Sequence, residues 1–215
     1  MKKLTLAVTG PSLYSENITR LVENYFNARL LYLESNNQED IEYWLNQCDG
    51  FVGSGGTDIG INLYDGELTN GDCLTRFSPL RDIREKFIIK YCLDKNKPML
   101  LICRNFQLLG SVFFNITLIK NVNTCEIVHS LGNSKIDADG LPGVHFLYIP
   151  KEYQEEFGKK EYVGENHHQG LWHSEQIVDN CKKLGVEVLG YAHLNYDTNK
   201  SREQKIIELM RGKSF

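Results

Sequence analysis

Apolar residues fall along this chain in short runs of two kinds, continuous ones and ones at helical spacing. Leu4 to Thr9 is a continuous run of strand length, ended by Gly10-Pro11. Residues 15–26 place Leu21, Val22, Tyr25 and Phe26 on one helical face, and Leu30 to Leu33 is a second run of strand length. Residues 37–46 predict a helix with Ile41, Trp44 and Leu45 inward and Asp40 and Glu42 outward. A strand beginning at Asp49-Gly50-Phe51-Val52 then runs into a glycine-rich loop, Gly53-Ser54-Gly55-Gly56. Residues 81–93 are helical by the spacing of Ile83, Phe87, Ile88 and Tyr91. Pro98 opens the apolar strand Met99-Leu100-Leu101-Ile102, and a helix over residues 104–113 follows Cys103. From residue 121 to 163 the pattern loosens into short strands and turns, among them Gly143 to Ile149. Val186 to Tyr191 reads as a strand, and residues 201–210 as a helix or a strand-helix mixture.

Strands that are apolar throughout and alternate with helices imply a mainly parallel sheet covered on both faces. The expected class is therefore α/β, a flavodoxin-like, doubly wound sheet flanked by helices. At 215 residues, with no repeat and no linker-like tract, the chain is expected to form one domain over residues 1–215. The net charge of −4 offers no electrostatic reason for a nucleic acid or anionic membrane partner. No run reaches the roughly 20 apolar residues of a spanning helix. The basic, apolar start is too short for a signal peptide and lacks a cleavage site, so a cytoplasmic location is expected. The six cysteines are scattered, with no C-x-x-C pair, which fits a reducing compartment and mostly buried thiols.

In sheets of this class ligands bind at the carboxyl ends of the strands. Two junctions there are chemically marked: the Gly53 to Asp58 loop and Ile102-Cys103-Arg104. A cysteine where a strand turns into a helix can be held at the sheet edge with backbone N–H groups converging on it. Gly55-Gly56 lets backbone approach a ligand, although a tight turn alone uses the same pair; the loop has neither a Walker ending nor the dinucleotide spacing. His167-His168-Gln169 lies in a polar segment without a carboxylate or cysteine at ligand spacing, so no metal and no other cofactor is expected. Arg81, Asp82 and Glu85 read most simply as an exposed ion-pair face of little energetic value.

Taken together and in order, these pieces resemble the class I glutamine amidotransferase-like superfamily, and within it the γ-glutamyl hydrolase branch. The resemblance rests on Asp49-Gly50 through Gly55-Gly56-Thr57-Asp58-Ile59 with Leu63-Tyr64, on Arg81-Asp82 and Glu85, and on Lys97-Pro98 through Ile102-Cys103-Arg104 to Gln107-Leu108-Leu109. Thr117-Leu118 and His167-His168-Gln169 complete it, over residues 4 to about 190. It implies a cysteine hydrolase that cleaves a small γ-glutamyl amide through an acyl-enzyme. Cys103 is then the nucleophile, the N–H groups of Gly55, Gly56 and Arg104 the oxyanion hole, and His167, His168 and Gln169 a substrate-facing loop. A homodimer is compatible with this assignment, although the sequence specifies no oligomeric state.

Two departures stand out. Leu101 and Asn105 occupy the positions of the family's elbow glycines, which relieve crowding in a strained turn. The family's late motif, glycine-valine-glutamine-aromatic-histidine-proline-glutamate, has no match. Either Gly190 to Asn195 is a decayed version, leaving His193 as provisional base, or Val186 to Tyr191 and Ile206 to Leu209 are the strands flanking it and the chain ends at Phe215 where the base would begin. The spacing after His167-His168-Gln169 fits the second alignment better. The alternative function is accordingly a catalytically degenerate relative that binds a ligand or partner; a synthetase-associated glutaminase subunit fits the His167-His168-Gln169 loop less well.

Overall fold

The computed structural model describes residues 3–9, 20, 22, 25, 27–64, 78–119, 144–164, 169–193 and 205–215. They form two compact units, one of residues 1–113 with Lys213–Phe215 and one of Phe114–Gly212.

The first unit is built on four parallel strands, β1 (Leu4–Thr9), β2 (Ala28–Tyr32), β3 (Gly50–Gly53) and β4 (Met99–Leu101), in the order β2-β1-β3-β4. Ala7 lies opposite Phe51, and Val52 opposite Leu100. Strands with two covered faces need apolar residues at successive positions, and Ala7, Val8, Phe51 and Val52 are all buried. Val8, Val22, Ala28 and Val52 form a core cluster with Leu6 and Leu30 packed on it. Arg20, Val22 and Tyr25 are helical, as the spacing over residues 15–26 predicts; the rest of that segment lies outside the described residues.

Helix α1 (Gln38–Asn46) starts at Asn37, whose side chain accepts from the Glu39 amide at 2.9 Å. Ile41 and Leu45 are buried, but Trp44, expected inward, is 43 % exposed and edge-on to Tyr43. Helix α2 (Pro79–Asp94) opens with proline at its first turn, where a missing N–H costs nothing. Its buried stripe is Arg81, Asp82, Glu85, Ile88, Ile89, Tyr91 and Cys92, whereas Ile83 faces solvent. The expected exposed ion-pair face is therefore wrong: the stripe that meets the core begins with three charged residues. Helix α3 (Arg104–Leu108) passes directly into a π-turn over Leu109–Phe113.

The second unit holds six antiparallel strands in the order β5-β8-β10-β9-β6-β7: β5 (Leu118–Ile119), β6 (Val144–Tyr148), β7 (Lys160–Gly164), β8 (Gly170–Trp172), β9 (Glu187–His193) and β10 (Lys205–Arg211). After β6, helix α4 (Gln154–Phe157) is a single turn, while α5 (Glu175–Lys183), between β8 and β9, is capped by Ser174. Of residues 201–210, expected as helix or a mixture, 205–210 are strand, which runs on to Arg211, and 201–204 lie outside the described residues. Ile206, Ile207 and Met210 are the buried ones, a spacing that imitates a helix. The cause is two register shifts against β9, at Ile207/Leu209 and Leu209/Met210, which break the two-residue alternation. No helix among the described residues is long and apolar enough to cross a membrane.

Candidate active site

At the carboxyl end of the parallel sheet, β4 continues its ladder one step, with the Ile102 amide donating to Gly53 O at 2.9 Å. The chain then reverses at Cys103, with φ 51 and ψ −106, before α3 begins. A non-glycine residue there costs on the order of 1–3 kcal/mol and persists only where its surroundings over-determine it. Those surroundings are identifiable. The Asn105 amide donates to Ile102 O at 3.2 Å, the Gln107 amide to Cys103 O at 2.9 Å, and the Asn105 side chain to Ser54 O at 2.8 Å. The result is a strained strand-to-helix turn, the backbone form known as an elbow.

The two bulky residues at the elbow's glycine positions are accommodated from the other side. A Cβ on Gly53 would stand 2.6 Å from Asn105 Cγ, 2.7 Å from Asn105 Cβ and 2.9 Å from Leu101 Cδ2. The missing side chain of β3 is thus the space into which Leu101 and Asn105 fit, and the crowding expected of Leu101 against Cys103 is displaced onto Gly53. Gly53→Ala is accordingly expected to cost about 1–3 kcal/mol by overpacking. In Gly53→Ala/Asn105→Gly that cost should shrink, giving a coupling energy in urea unfolding that two independent sites would lack.

Cys103 is half-buried, whereas Cys48, Cys92 and Cys181 are buried. Burial raises the thiol pKa of all three, that of Cys92 to about 12. They are apolar packing groups at neutral pH, while Cys73 and Cys125 lie outside the described residues. Facing Cys103 is the glycine loop: a Cβ on Gly55 would lie 3.3 Å from Cys103 Cβ and 3.8 Å from its sulfur. Gly56 has φ +146, where a side chain is strained.

Beneath the elbow and the loop lies a buried charge network. Arg104, fully buried, pairs with Asp82 and has Nε 3.1 Å from Glu85 Oε2, an ion pair whose angles fall short of a hydrogen bond. Asp82 also accepts from the Gly60 amide at 3.1 Å. Glu85 Oε1 accepts from Arg81 Nε at 2.7 Å and from Thr9 Oγ1 at 2.8 Å. Burial raises the Asp82 carboxyl above its ordinary value, opposed first by Arg104; burial lowers Arg104, opposed by Glu85 and Asp82. Two guanidinium groups and two carboxylates close on one another, which is how buried charge is tolerated.

The expected site residues thus divide. Cys103, Gly55, Gly56 and Arg104 come together in the first unit. Gln169, buried just before β8, and His193, the last residue of β9, belong to the second; His167 and His168 lie outside the described residues. His193 pairs in register with Lys205, and its ring stands edge-on to Tyr148 at 4.6 Å. Tyr148 stacks on Tyr191, which also meets His173 at 4.9 Å and carries the Lys205 ammonium 5.1 Å from its ring centre. The same unit holds a cavity of about 510 Å³ whose walls include Tyr153, His173, Glu187 and Tyr191.

Burial, with help from the Lys205 ammonium, holds the His173 imidazole below its ordinary pKa. A histidine with a lowered folded pKa contributes stability that is fully present above the unfolded value and lost as pH falls through the folded one. Going from about pH 7.5 to about pH 5, His173→Phe should therefore lose less stability than the wild type in urea unfolding. An equal or larger loss would contradict the assignment.

Comparison with known proteins fits this geometry. The family model for Peptidase C26 matches residues 5–173. The glutamine amidotransferase-like protein YvdE of Lactococcus lactis subsp. lactis (strain IL1403) is 30% identical over 178 residues, 82% of this chain and 69% of that protein. Its homologue in Lactococcus lactis subsp. cremoris is 32% identical over 143 residues, 65% of this chain and 72% of that one. Among solved structures, the glutaminase domain of Trypanosoma brucei CTPS with bound acivicin superposes with TM-score 0.52 at 13% identity, over 99% of this chain and 82% of that one, a likeness of fold. With an elbow cysteine on a parallel sheet and a family match across most of its length, the chain belongs to the Peptidase C26 family, within the class I glutamine amidotransferase-like superfamily of hydrolase or amidotransferase-like function.

Proposed function

We propose that this protein is a cysteine hydrolase of the γ-glutamyl hydrolase branch, cleaving a small γ-glutamyl amide with Cys103 as nucleophile. The observation that carries this reading is the strained conformation of Cys103 opposite the Gly55-Gly56 loop. A buried structural cysteine has no need of φ 51, and strain of that kind is retained where a side chain must be presented.

The sulfur adds to the γ-carbonyl carbon, forming a C–S bond and moving the carbonyl pair onto oxygen. The N–H groups of Gly55, Gly56 and Arg104 receive that charge, the interaction that usually contributes most to such catalysis. The thiol proton goes to a base, assigned here to His193, and then to the leaving nitrogen as the C–N bond breaks. Water adds to the thioester, the C–S bond breaks, and glutamate leaves with the thiol restored. Gln169, with His167 and His168, is assigned to the loop that holds the substrate.

The test is release of glutamate and p-nitroaniline from γ-glutamyl-p-nitroanilide, with glutamine as second substrate. Stoichiometric release that vanishes in Cys103→Ala supports the reading. A wild type inert towards both substrates sinks it, and a binding role for the cleft of a degenerate relative takes its place.

A further inference from the structure

Arg81 is used by no step of the reaction, yet it is 7 % exposed and its guanidinium faces the glycine loop. Its Nη2 donates to Gly55 O at 3.0 Å and to Ser54 O and Oγ, each at 3.2 Å. A Cβ on Gly56 would collide with its Nη1, so the guanidinium lies directly against that residue. The other end is fixed by Glu85, which Thr9 of β1 also holds.

Peptide groups are planar, and none here is cis, so each carbonyl points opposite to the N–H of the next residue. Pinning Ser54 O and Gly55 O therefore fixes the directions of the Gly55 and Gly56 N–H groups, both away from the guanidinium. We propose that Arg81 is the positioning residue of the oxyanion-stabilising loop, holding through two carbonyls the donors that face the Cys103 carbonyl adduct. This rests on the hydrolase reading for its catalytic consequence, though not for the ordering of the loop. Asn105 braces the same Ser54 carbonyl, so elbow and loop share one anchor point. Glycine at both positions would otherwise leave the donors free to rotate, and a misplacement of about 1 Å can cost on the order of 10² in rate.

Arg81→Lys keeps the charge, but its single ammonium cannot stand both where Nε meets Glu85 and where Nη2 meets the two carbonyls. Backbone order of Gly55 and Gly56 would be measured by ¹⁵N relaxation in ¹⁵N-glycine-labelled protein, beside kcat and KM for γ-glutamyl-p-nitroanilide and the thermal midpoint. In the wild type both amides should be as ordered as rigid backbone, with S² about 0.85, and in Arg81→Lys they should fall below about 0.6. In the same variant kcat should fall about 10²-fold with KM within about threefold, the split expected when stabilisation is lost only in the transition state. Arg81→Gln/Glu85→Gln, which removes one charge of each sign, should behave likewise and serves if the lysine variant does not fold. Disordered Gly55 and Gly56 in the wild type overturn the proposal. So does a loop that stays ordered in both variants, or one that loosens with no change in kcat. If the wild type releases no glutamate the hydrolase reading falls by itself, and the relaxation arm alone decides whether Arg81 orders the loop.

Discussion

Cys103→Ala is expected to lower glutamate release by about 10⁴-fold or more, while the thermal midpoint moves by only a few degrees. On the proposed mechanism the substitution removes the atom that forms the acyl-enzyme, and it leaves a small apolar group in a half-buried place. Where His193 is the base, the provisional assignment, His193→Ala is expected to match it, because a thiol whose proton has no destination is only a few per cent thiolate near neutrality. The double variant should then be no slower than either single one, since residues acting as a unit do not add. Inactive Cys103→Ala beside active His193→Ala would keep the nucleophile and move the base elsewhere, with His167 and His168 next in line. Full activity in Cys103→Ala would refute the elbow as the seat of chemistry.

The parallel sheet and the elbow are legible in the sequence because they depend on local signals. Runs such as Met99-Leu100-Leu101-Ile102 are apolar throughout, as strands covered on both faces must be. Cys103 and Gly55-Gly56 stand at the ends of two such runs, which places them on one edge without knowledge of any contact. The charges on α2 are legible only in hindsight. Arg81, Glu85, Ile88 and Cys92 share one helical stripe, as do Asp82, Glu85 and Ile89, but charged residues are read as solvent-facing unless their partners are known. The partner, Arg104, lies beyond an intervening strand, and no periodicity links it to α2. A signal was nonetheless available: two charges of each sign, Arg81, Asp82, Glu85 and Arg104, all bordering predicted core. The bulged β10 was illegible for a different reason, since its register shifts replace alternation with a spacing that imitates a helix. Leu101 and Asn105 are a third case. As sequence they are a departure from the family's elbow, and only the empty side of Gly53 shows where their volume goes.

That network is the basis of the second large effect: Arg104→Met is expected to destabilise the protein by about 3–5 kcal/mol, the cost of breaking a buried ion pair from one side. Methionine fills much of the same volume, so the loss is electrostatic rather than a cavity. Asp82 loses the cation that most opposes its desolvation and keeps the Gly60 amide and the weaker influence of Arg81, while Glu85 keeps its direct bond to Arg81. The Asp82 carboxyl, already raised by burial, must rise further in the variant. A carboxyl with a raised folded pKa contributes stability that is fully present below its unfolded value and lost as pH rises through the folded one. The deficit of Arg104→Met against the wild type should consequently be larger at about pH 8 than at about pH 5 in urea unfolding. Adding Asp82→Asn should remove most of that pH dependence and recover part of the stability, because the amide needs no counter-charge. A deficit below about 1 kcal/mol, or one that shrinks as pH rises, would mean that the network beneath the elbow is held by packing and not by its charges.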